Sequence, residues 1–233
     1  MAEAAAAADE AWTNIIDETI NVTVDSLYHL IFDDDSRFFK DFVKGRNITD
    51  LVISNWQNSD TDDSENQRVL TYTVHPNQMF VPADIPSTET QISCQISTDE
   101  FEKQFIINSK TTTMGHRYAD SFHVLIRYEL SKISADQCRM VVKARIIFTQ
   151  AVMVTGTITS ATLDDLLNYF TCLATGCKQK LINQNRAVPL QRPRHRITEP
   201  FYQSLLRKAW FKIFIRAISI WIIAWLSHRL VYP

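Results

Sequence analysis

The sequence predicts an α+β domain, in which a curved antiparallel sheet is covered by one long C-terminal helix, followed by a C-terminal transmembrane segment. Apolar and polar residues alternate in several runs between residues 51 and 148, which is typical of antiparallel strands with one wet face. Between residues 163 and 181 the apolar spacing changes to three and four, the pattern of an amphipathic helix. Residues 209–233 then form an apolar, aromatic block.

The N-terminal part predicts one strand and two short helices. Residues 1–12 are alanine-rich and acidic, and we expect them to be disordered. The β-branched residues between positions 13 and 24 favour an opening strand. Asp25 or Ser26 is predicted to cap a helix that ends near Phe32. After a break at residues 33–36, a second helix follows over residues 37–44, and we expect its phenylalanines to dock on the sheet.

Six further strand-like runs cover residues 51–56, 68–75, 91–96, 102–110, 121–130 and 138–148. In each of four runs, alternation places one set of residues on a common face. The sets are Leu70, Tyr72 and Val74; Ile92, Cys94 and Ile96; Phe122, Val124, Ile126, Tyr128 and Leu130; and Met140, Val142, Ala144, Ile146 and Phe148. A parity error of one residue would exchange the two faces of a strand.

The long helix is predicted to begin at a cap formed by Ser160 or Thr162. Its apolar positions include Leu166, Leu167 and Phe170 and continue to position 181. Gly176 lies inside this helix and costs about 1 kcal/mol relative to Ala; the sequence gives no reason for it, and close packing is one option. A sheet and a covering helix can enclose a cavity, which either side chains or a ligand would fill.

One loop, at residues 75–87, carries apolar side chains among three prolines, with Met79 and Phe80 near its centre. Proline explains why the strand ends, but loops normally run over the surface. These apolar residues either plug the core of the domain or form a rim that touches a ligand or a membrane.

The C-terminal block at residues 209–233 predicts a membrane anchor, with Trp210, Phe214, Trp221 and Trp225 as anchoring residues. Its length is close to the roughly 20 residues that a spanning helix needs. An interfacial helix and a buried core helix are the alternatives.

The linker before the anchor, at residues 184–208, is basic and contains prolines. Its charge predicts that the domain at residues 13–183 faces the cytosol. The linker is either a topology signal only or a binding segment for anionic lipids.

No catalytic, metal, cofactor or nucleic-acid pattern emerges from the sequence. Only four glycines are present, too few for a Gly-rich phosphate loop, and the four cysteines form no CxxC pair. The net charge of −2 gives no nucleic-acid signal. We therefore expect a protein that is not an enzyme and that needs no cofactor or metal.

Several segments together resemble the VASt domain of the Aster and Lam families of sterol-transfer proteins. They are FFKDF at 38–42, RVLTYTV at 68–74, ADSFHVLIRYEL at 119–130 and CRMVVKARIIF at 138–148, followed by the long amphipathic helix. The segment YADSFHVLIRY at 118–128 is the most similar to the family pattern. The resemblance covers roughly residues 13–182.

This resemblance implies a START-like helix-grip fold with a sterol in its cavity. The residues then expected to contact the lipid are Leu70, Tyr72, Val74, Met79, Phe80, Phe122, Val124, Ile126, Tyr128, Met140, Val142, Ile146, Leu166, Leu167 and Phe170. Tyr72 or Tyr128 is the expected partner of the sterol hydroxyl.

The function expected from the resemblance and the tail is that of a lipid-binding domain anchored in the endoplasmic reticulum membrane. It would face the cytosol and carry sterol between apposed membranes at contact sites. The alternative is a scaffold with the same fold and the same anchor that transfers nothing and makes protein contacts instead.

Overall fold

The structure is a computed structural model that describes residues 12–58, 65–75, 83–95 and 103–185. Residues 182–185 are described as backbone only. The predicted anchor residues Trp210, Phe214, Trp221 and Trp225 lie outside these ranges, as do Met79 and Phe80. Within the described ranges, no helix combines the length and the apolar character that a membrane span requires.

Strands and helices follow one another in the predicted order. The elements are β1 (Thr13–Ile20), α1 (Val24–Phe32), α2 (Arg37–Lys44), β2 (Ile48–Ile53), β3 (Gln57–Asn58), β4 (Glu65–Val74), β5 (Ile85–Gln95), β6 (Gln104–Thr113), a 3-10 turn (Ala119–Ser121), β7 (Phe122–Ser134), β8 (Gln137–Phe148) and α3 (Thr155–Asn185). This arrangement confirms an antiparallel sheet with one long C-terminal helix. The helix α3 begins at Thr155, ahead of the predicted caps Ser160 and Thr162.

The strands form one antiparallel sheet in the order β1-β8-β7-β6-β5-β4-β2, and the short strand β3 also pairs with β4. From β4 to β8 each strand pairs with its neighbour in sequence, whereas β1 adds to the far side of β8. Register shifts interrupt the pairing of β1 with β8, of β2 with β4 and of β7 with β8. Such bulges bend the strands that carry them, which favours a sheet that curves around α3.

The C-terminal half of α3 packs tightly against one side of the sheet. Phe170, Leu173 and Cys177 of α3 are buried, as are Met140 and Val142 on β8. These residues belong to the hydrophobic core of the domain, and α3 also reaches β1, where Lys178 Nζ lies 2.6 Å from Glu18 Oε2. The buried side chains of this half of α3 thus form part of the core of the domain.

Side-chain caps fix both short helices. Thr23 accepts a hydrogen bond from the backbone N–H of Ser26 at 3.1 Å, so Thr23 is the cap of α1, and the prediction of Asp25 or Ser26 as cap was wrong. Ser36 caps α2 by accepting from the N–H of Phe39 at 3.0 Å, and it donates to the carbonyl of Leu30 in α1. Ser36 thus sets the angle between the two helices and the position of α2 over the sheet.

Candidate functional site

A cavity of about 300 Å³ lies between the inner face of the sheet and the N-terminal half of α3. The elements around it are α2, strands β2 and β4–β7, and α3. Its lining residues are Phe39, Val43, Ile48, Leu51, Leu70, Tyr72, Val74, Glu89, Thr111, Val124, Ile126, Tyr128, Thr162, Asp165, Leu166, Tyr169 and Phe170. Its volume is within the range of small-molecule pockets, about 300 to 1,000 Å³.

The cavity walls are mostly aliphatic and aromatic, and none of the lining residues is Lys, Arg or His. Leu70 and Phe170 are each 1% exposed, so both lie at the deep end of the cavity, whereas Val74 and Val124 are only partly buried. Asp165 lies on the exposed side of α3, at the rim. The lining therefore has two acidic groups, Glu89 in the wall and Asp165 at the rim, where desolvation raises the pKa of Asp165. The site suits an apolar molecule with one polar end.

A small polar cluster surrounds Glu89 on β5. Glu89 Oε1 accepts hydrogen bonds from Ser109 Oγ and from Gln91 Nε2, both at 2.7 Å. Its other oxygen, Oε2, is 3.4 Å from the hydroxyl of Tyr72, a long contact. Oε2 consequently keeps capacity to accept a further hydrogen bond from a ligand.

Burial keeps the cavity tyrosines in their neutral form. The pKa of Tyr72 is raised well above its usual value, chiefly by desolvation and then by the negative charge of Glu89. The same two causes raise the pKa of Tyr128 and of Tyr169. A neutral phenol both donates and accepts, so these hydroxyl groups can pair with a polar group on a ligand.

Aromatic rings close one side of the cavity. The ring of Tyr169 meets those of Phe42 and Phe170 edge to face, each at 5.1 Å between centroids. The guanidinium of Arg46 lies over the Phe42 ring at 5.3 Å and over the Tyr169 ring at 5.8 Å, and it donates to the carbonyl of Asn168 at 3.4 Å. Arg46 thereby ties the end of α2 to the middle of α3, across the outside of the cavity.

The structure brings together part of the residue set expected to contact a lipid. The expected residues that line the cavity are Leu70, Tyr72, Val74, Val124, Ile126, Tyr128, Leu166 and Phe170. The strand residues among them occupy the face that the alternation predicted.

Other expected residues lie elsewhere. Met140 and Val142 are fully buried in the hydrophobic core on β8, outside the cavity lining. Phe122 and Ile146 are partly buried and also outside it. Leu167 is 48% exposed, because the apolar stripe of α3 is wider than the stripe that faces the sheet.

The sequence interpretation did not assign α2 and β2 to the cavity. Phe39 and Val43 are four residues apart on α2 and point into it, and Ile48 and Leu51 of β2 complete that wall. The spacing of Phe39 and Val43 is a signal for one buried helix face. It does not tell whether that face meets a sheet or a cavity.

The described residues contain no group of three or more His, Cys, Asp or Glu side chains that could hold a metal ion. The lining residues of the cavity offer apolar contacts and hydrogen-bonding groups.

Comparison with solved structures gives weak global likenesses. TTHA0849 from Thermus thermophilus matches with a TM-score of 0.43 and 10% identity, covering 75% of this chain and 99% of its own. Norcoclaurine synthase from Thalictrum flavum matches with a TM-score of 0.42 and 12% identity, covering 74% of this chain and 87% of its own. At TM-scores below 0.5, neither likeness assigns a function.

Comparison with known sequences is more informative. Protein Aster-B of Mus musculus is 26% identical over 125 residues, which is 54% of this chain and 16% of Aster-B. Protein Aster-A of Rattus norvegicus is 26% identical over 132 residues, 57% of this chain and 18% of Aster-A. The match thus spans less than a fifth of the length of these relatives.

The model of the family described as "VAD1 Analog of StAR-related lipid transfer domain" matches residues 14–165. Since this match covers more than half of the chain, the protein belongs to the VASt family.

Proposed function

We propose that the protein is a membrane-anchored, cytosol-facing lipid-binding domain that carries sterol between apposed membranes at contact sites. The observation that carries this proposal is the apolar cavity of about 300 Å³ beneath α3. A sterol in water exposes several hundred Å² of apolar surface, at about 25 cal/mol per Å². A dry cavity offsets this cost, so the proposed carriage needs no catalytic group.

The cavity favours this carrier over the scaffold alternative. A protein used only for docking has no need of an apolar cavity, because an unfilled space in the core lowers stability. The polar cluster at Glu89 and Tyr72 gives the proposed ligand one orienting end, and small-molecule sites commonly combine apolar walls with a few such groups.

The sequence supports the proposed topology. The block at residues 209–233, with Trp210, Phe214, Trp221 and Trp225, would insert into the endoplasmic reticulum membrane. The linker at residues 184–208 contains three prolines. A semi-extended linker of this kind would let the domain reach about 40 Å from the bilayer, while its basic residues contact anionic lipids.

A transfer assay tests the proposal. The full chain is reconstituted into donor vesicles that contain a fluorescent sterol, and the arrival of the sterol in acceptor vesicles is followed over time. Val124→Trp places an indole in the cavity, whereas Val52→Trp places it on β2, where Val52 is 64% exposed. We expect transfer by the wild type and by V52W, and a loss of at least about tenfold in V124W. Equal transfer by V124W, with its fold intact by circular dichroism, would rule out the cavity as the carrier site.

The anchor has its own test. Deletion of residues 209–233 should release the protein from vesicles in a flotation assay, while the binding of sterol in solution is kept. A truncated chain that still floats with protein-free phosphatidylcholine vesicles would contradict the proposed role of this block.

A further inference from the structure

A buried arginine lies next to the cavity without lining it. Arg68 on β4 is 1% exposed. Its guanidinium carbon lies 4.4 Å from the ring centroid of Trp56 and 5.9 Å from that of Phe32. Nη1 donates to the carbonyl of Phe32 at 2.7 Å and lies 3.6 Å from Asp34 Oδ1. Phe32 is the last residue of α1, so the cation sits at the negative end of that helix.

Arg68 is connected to the cavity wall by one side chain. Its Nε donates to Gln91 Oε1 at 2.8 Å, and Gln91 Nε2 donates to Glu89 Oε1 at 2.7 Å. Arg68 and Gln91 are paired across β4 and β5. Because Arg68 can only donate, it holds the Gln91 amide with its oxygen toward the guanidinium and its NH₂ group toward Glu89.

This orientation decides which oxygen of Glu89 is left for a ligand. Oε1 is occupied by Gln91 and by Ser109 Oγ. Among the residues that the structure describes, Oε2 has one partner, the hydroxyl of Tyr72 at 3.4 Å, which is another residue of the cavity lining. A ligand hydroxyl placed here could donate to Oε2 and accept from Tyr72.

Stability alone does not account for a cation at this position. Burying a charge costs several kcal/mol, and well-packed apolar residues of similar volume are often as stable as a buried ion pair. Among the described residues, Nη2 of Arg68 meets no hydrogen-bond acceptor. Burial lowers the pKa of Arg68, and the charge of Asp34 opposes that effect. The arginine is thus only partly compensated, while its Nε makes the bond that orients Gln91.

We propose that Arg68 is a positioning residue of the ligand site: through Gln91 it fixes Glu89 so that the cavity selects neutral lipids bearing a hydroxyl donor. A lipid whose polar end is a carboxylate or phosphate would face the charge of Glu89 with no cation in the lining. This inference rests on the proposed lipid-binding function and concerns the specificity of the same cavity.

The test measures selectivity and not affinity alone. The full chain, purified in detergent, is titrated with a radiolabelled sterol alcohol and with its 3-O-methyl ether, which cannot donate. The quantity of interest is the ratio of the two dissociation constants. Partition into detergent is the same for every protein variant, so it cancels when ratios are compared.

The wild type should prefer the alcohol by about tenfold or more, as expected for a hydrogen bond to a charged group. Arg68→Met should reduce the ratio to about twofold by weakening binding of the alcohol while binding of the ether changes little. Gln91→Met breaks the same chain without removing a charge, and it should have the same effect. Arg139→Met serves as the control, because Arg139 pairs with Asp17 on the exposed edge of the sheet; it should keep the wild-type ratio.

The possible outcomes separate the two proposals. Absence of binding of either probe by the wild type would overturn the carrier function itself. Binding of both probes with equal affinity by the wild type would overturn only the selectivity. If R68M or Q91M remains folded, binds both probes more weakly and keeps the tenfold ratio, Arg68 is structural and the positioning role is excluded. Should R68M fail to fold, Q91M decides the question alone.

Discussion

A Cβ atom added to Gly176 of α3 would lie 3.3 Å from Cζ of Phe38 in α2. This contact explains the glycine in the middle of a long helix: the ring of Phe38 packs directly on the helix backbone. A helical glycine costs about 0.5 to 1 kcal/mol relative to alanine, and here the close approach of α2 offsets part of that cost. The pairing of Gly176 with Phe38 helps to hold α2, one wall of the cavity, against α3.

Two glycines of α3 should therefore respond differently to substitution. A Cβ on Gly156 would meet nothing within 4 Å, so Gly156→Ala should raise the free energy of unfolding by about 0.5 kcal/mol. Gly176→Ala should give a smaller gain or none, and Gly176→Leu should lower stability by about 1 to 3 kcal/mol through overpacking. Urea unfolding measures all three. A G176L variant as stable as the wild type would exclude the close contact.

The two helix caps should differ in their contribution to stability. Ser36 is buried and satisfies both the N–H of Phe39 and the carbonyl of Leu30. Ser36→Ala should lower the free energy of unfolding by about 1 to 3 kcal/mol, since both groups lose their partner. Thr23→Ala, at an exposed cap where water can substitute, should cost about 0.5 to 1 kcal/mol. Equal losses in chemical denaturation would mean that Ser36 does not link α1 to α2.

Tyr72 or Tyr128 was the expected partner of a sterol hydroxyl, and from the surroundings of the two side chains we predict Tyr72. The hydroxyl of Tyr72 lies 3.4 Å from Glu89 Oε2. The ring of Tyr128 packs edge to face between Phe32 at 5.1 Å and Phe170 at 5.5 Å. Tyr72→Phe should weaken the binding of a sterol alcohol about three- to tenfold, and Tyr128→Phe less than about twofold. A larger loss of affinity in Y128F than in Y72F would show that Tyr128 is the partner of the sterol hydroxyl.

His116 should make stability depend on pH. Its Nε2 lies 2.7 Å from Thr113 Oγ1, and its Nδ1 accepts from the N–H of Tyr118 at 3.3 Å, which requires the neutral ring. Desolvation lowers the pKa of His116, and the charge of Asp120 opposes this. The unfolded chain then binds the proton more readily, so this contribution to stability is complete above the unfolded pKa of about 6.5. It declines as the pH falls from there toward the folded pKa, below which no further loss occurs.

His116→Gln should flatten this part of the pH profile of the unfolding free energy. Burial also lowers the pKa of His123, which titrates in both proteins. The difference between the wild-type and H116Q profiles therefore isolates the contribution of His116. Identical slopes below pH 6.5 in the two proteins would show that folding does not lower the pKa of His116.

The sequence alone could predict the inner face of a strand when the buried residues of that strand are also its apolar ones. On β7, Val124, Ile126 and Tyr128 were predicted on one face, and they line the cavity. On β5 the inner face is the polar one: Ser87, Gln91 and Ser93 are buried. The apolar set of Ile92 and Cys94 lies on the opposite face.

The physical reason for this difference is that the partners of the buried polar residues come from distant elements. Gln91 is satisfied by Arg68 on β4, and Ser93 lies 3.2 Å from the hydroxyl of Tyr28 in α1. Periodicity treats a polar residue as exposed, and only the folded structure reveals that its hydrogen bonds are made inside. The same limit hid Glu89 from the predicted site.

The binding of a fluorescent sterol alcohol to the full chain tests the central claim most directly, with Val124→Trp and Val52→Trp as the matched pair. The account predicts that binding saturates at about one sterol per chain, persists in V52W and is lost in a folded V124W. Non-saturable binding, or saturation that is identical in V124W, would contradict the claim that the space beneath α3 holds the lipid.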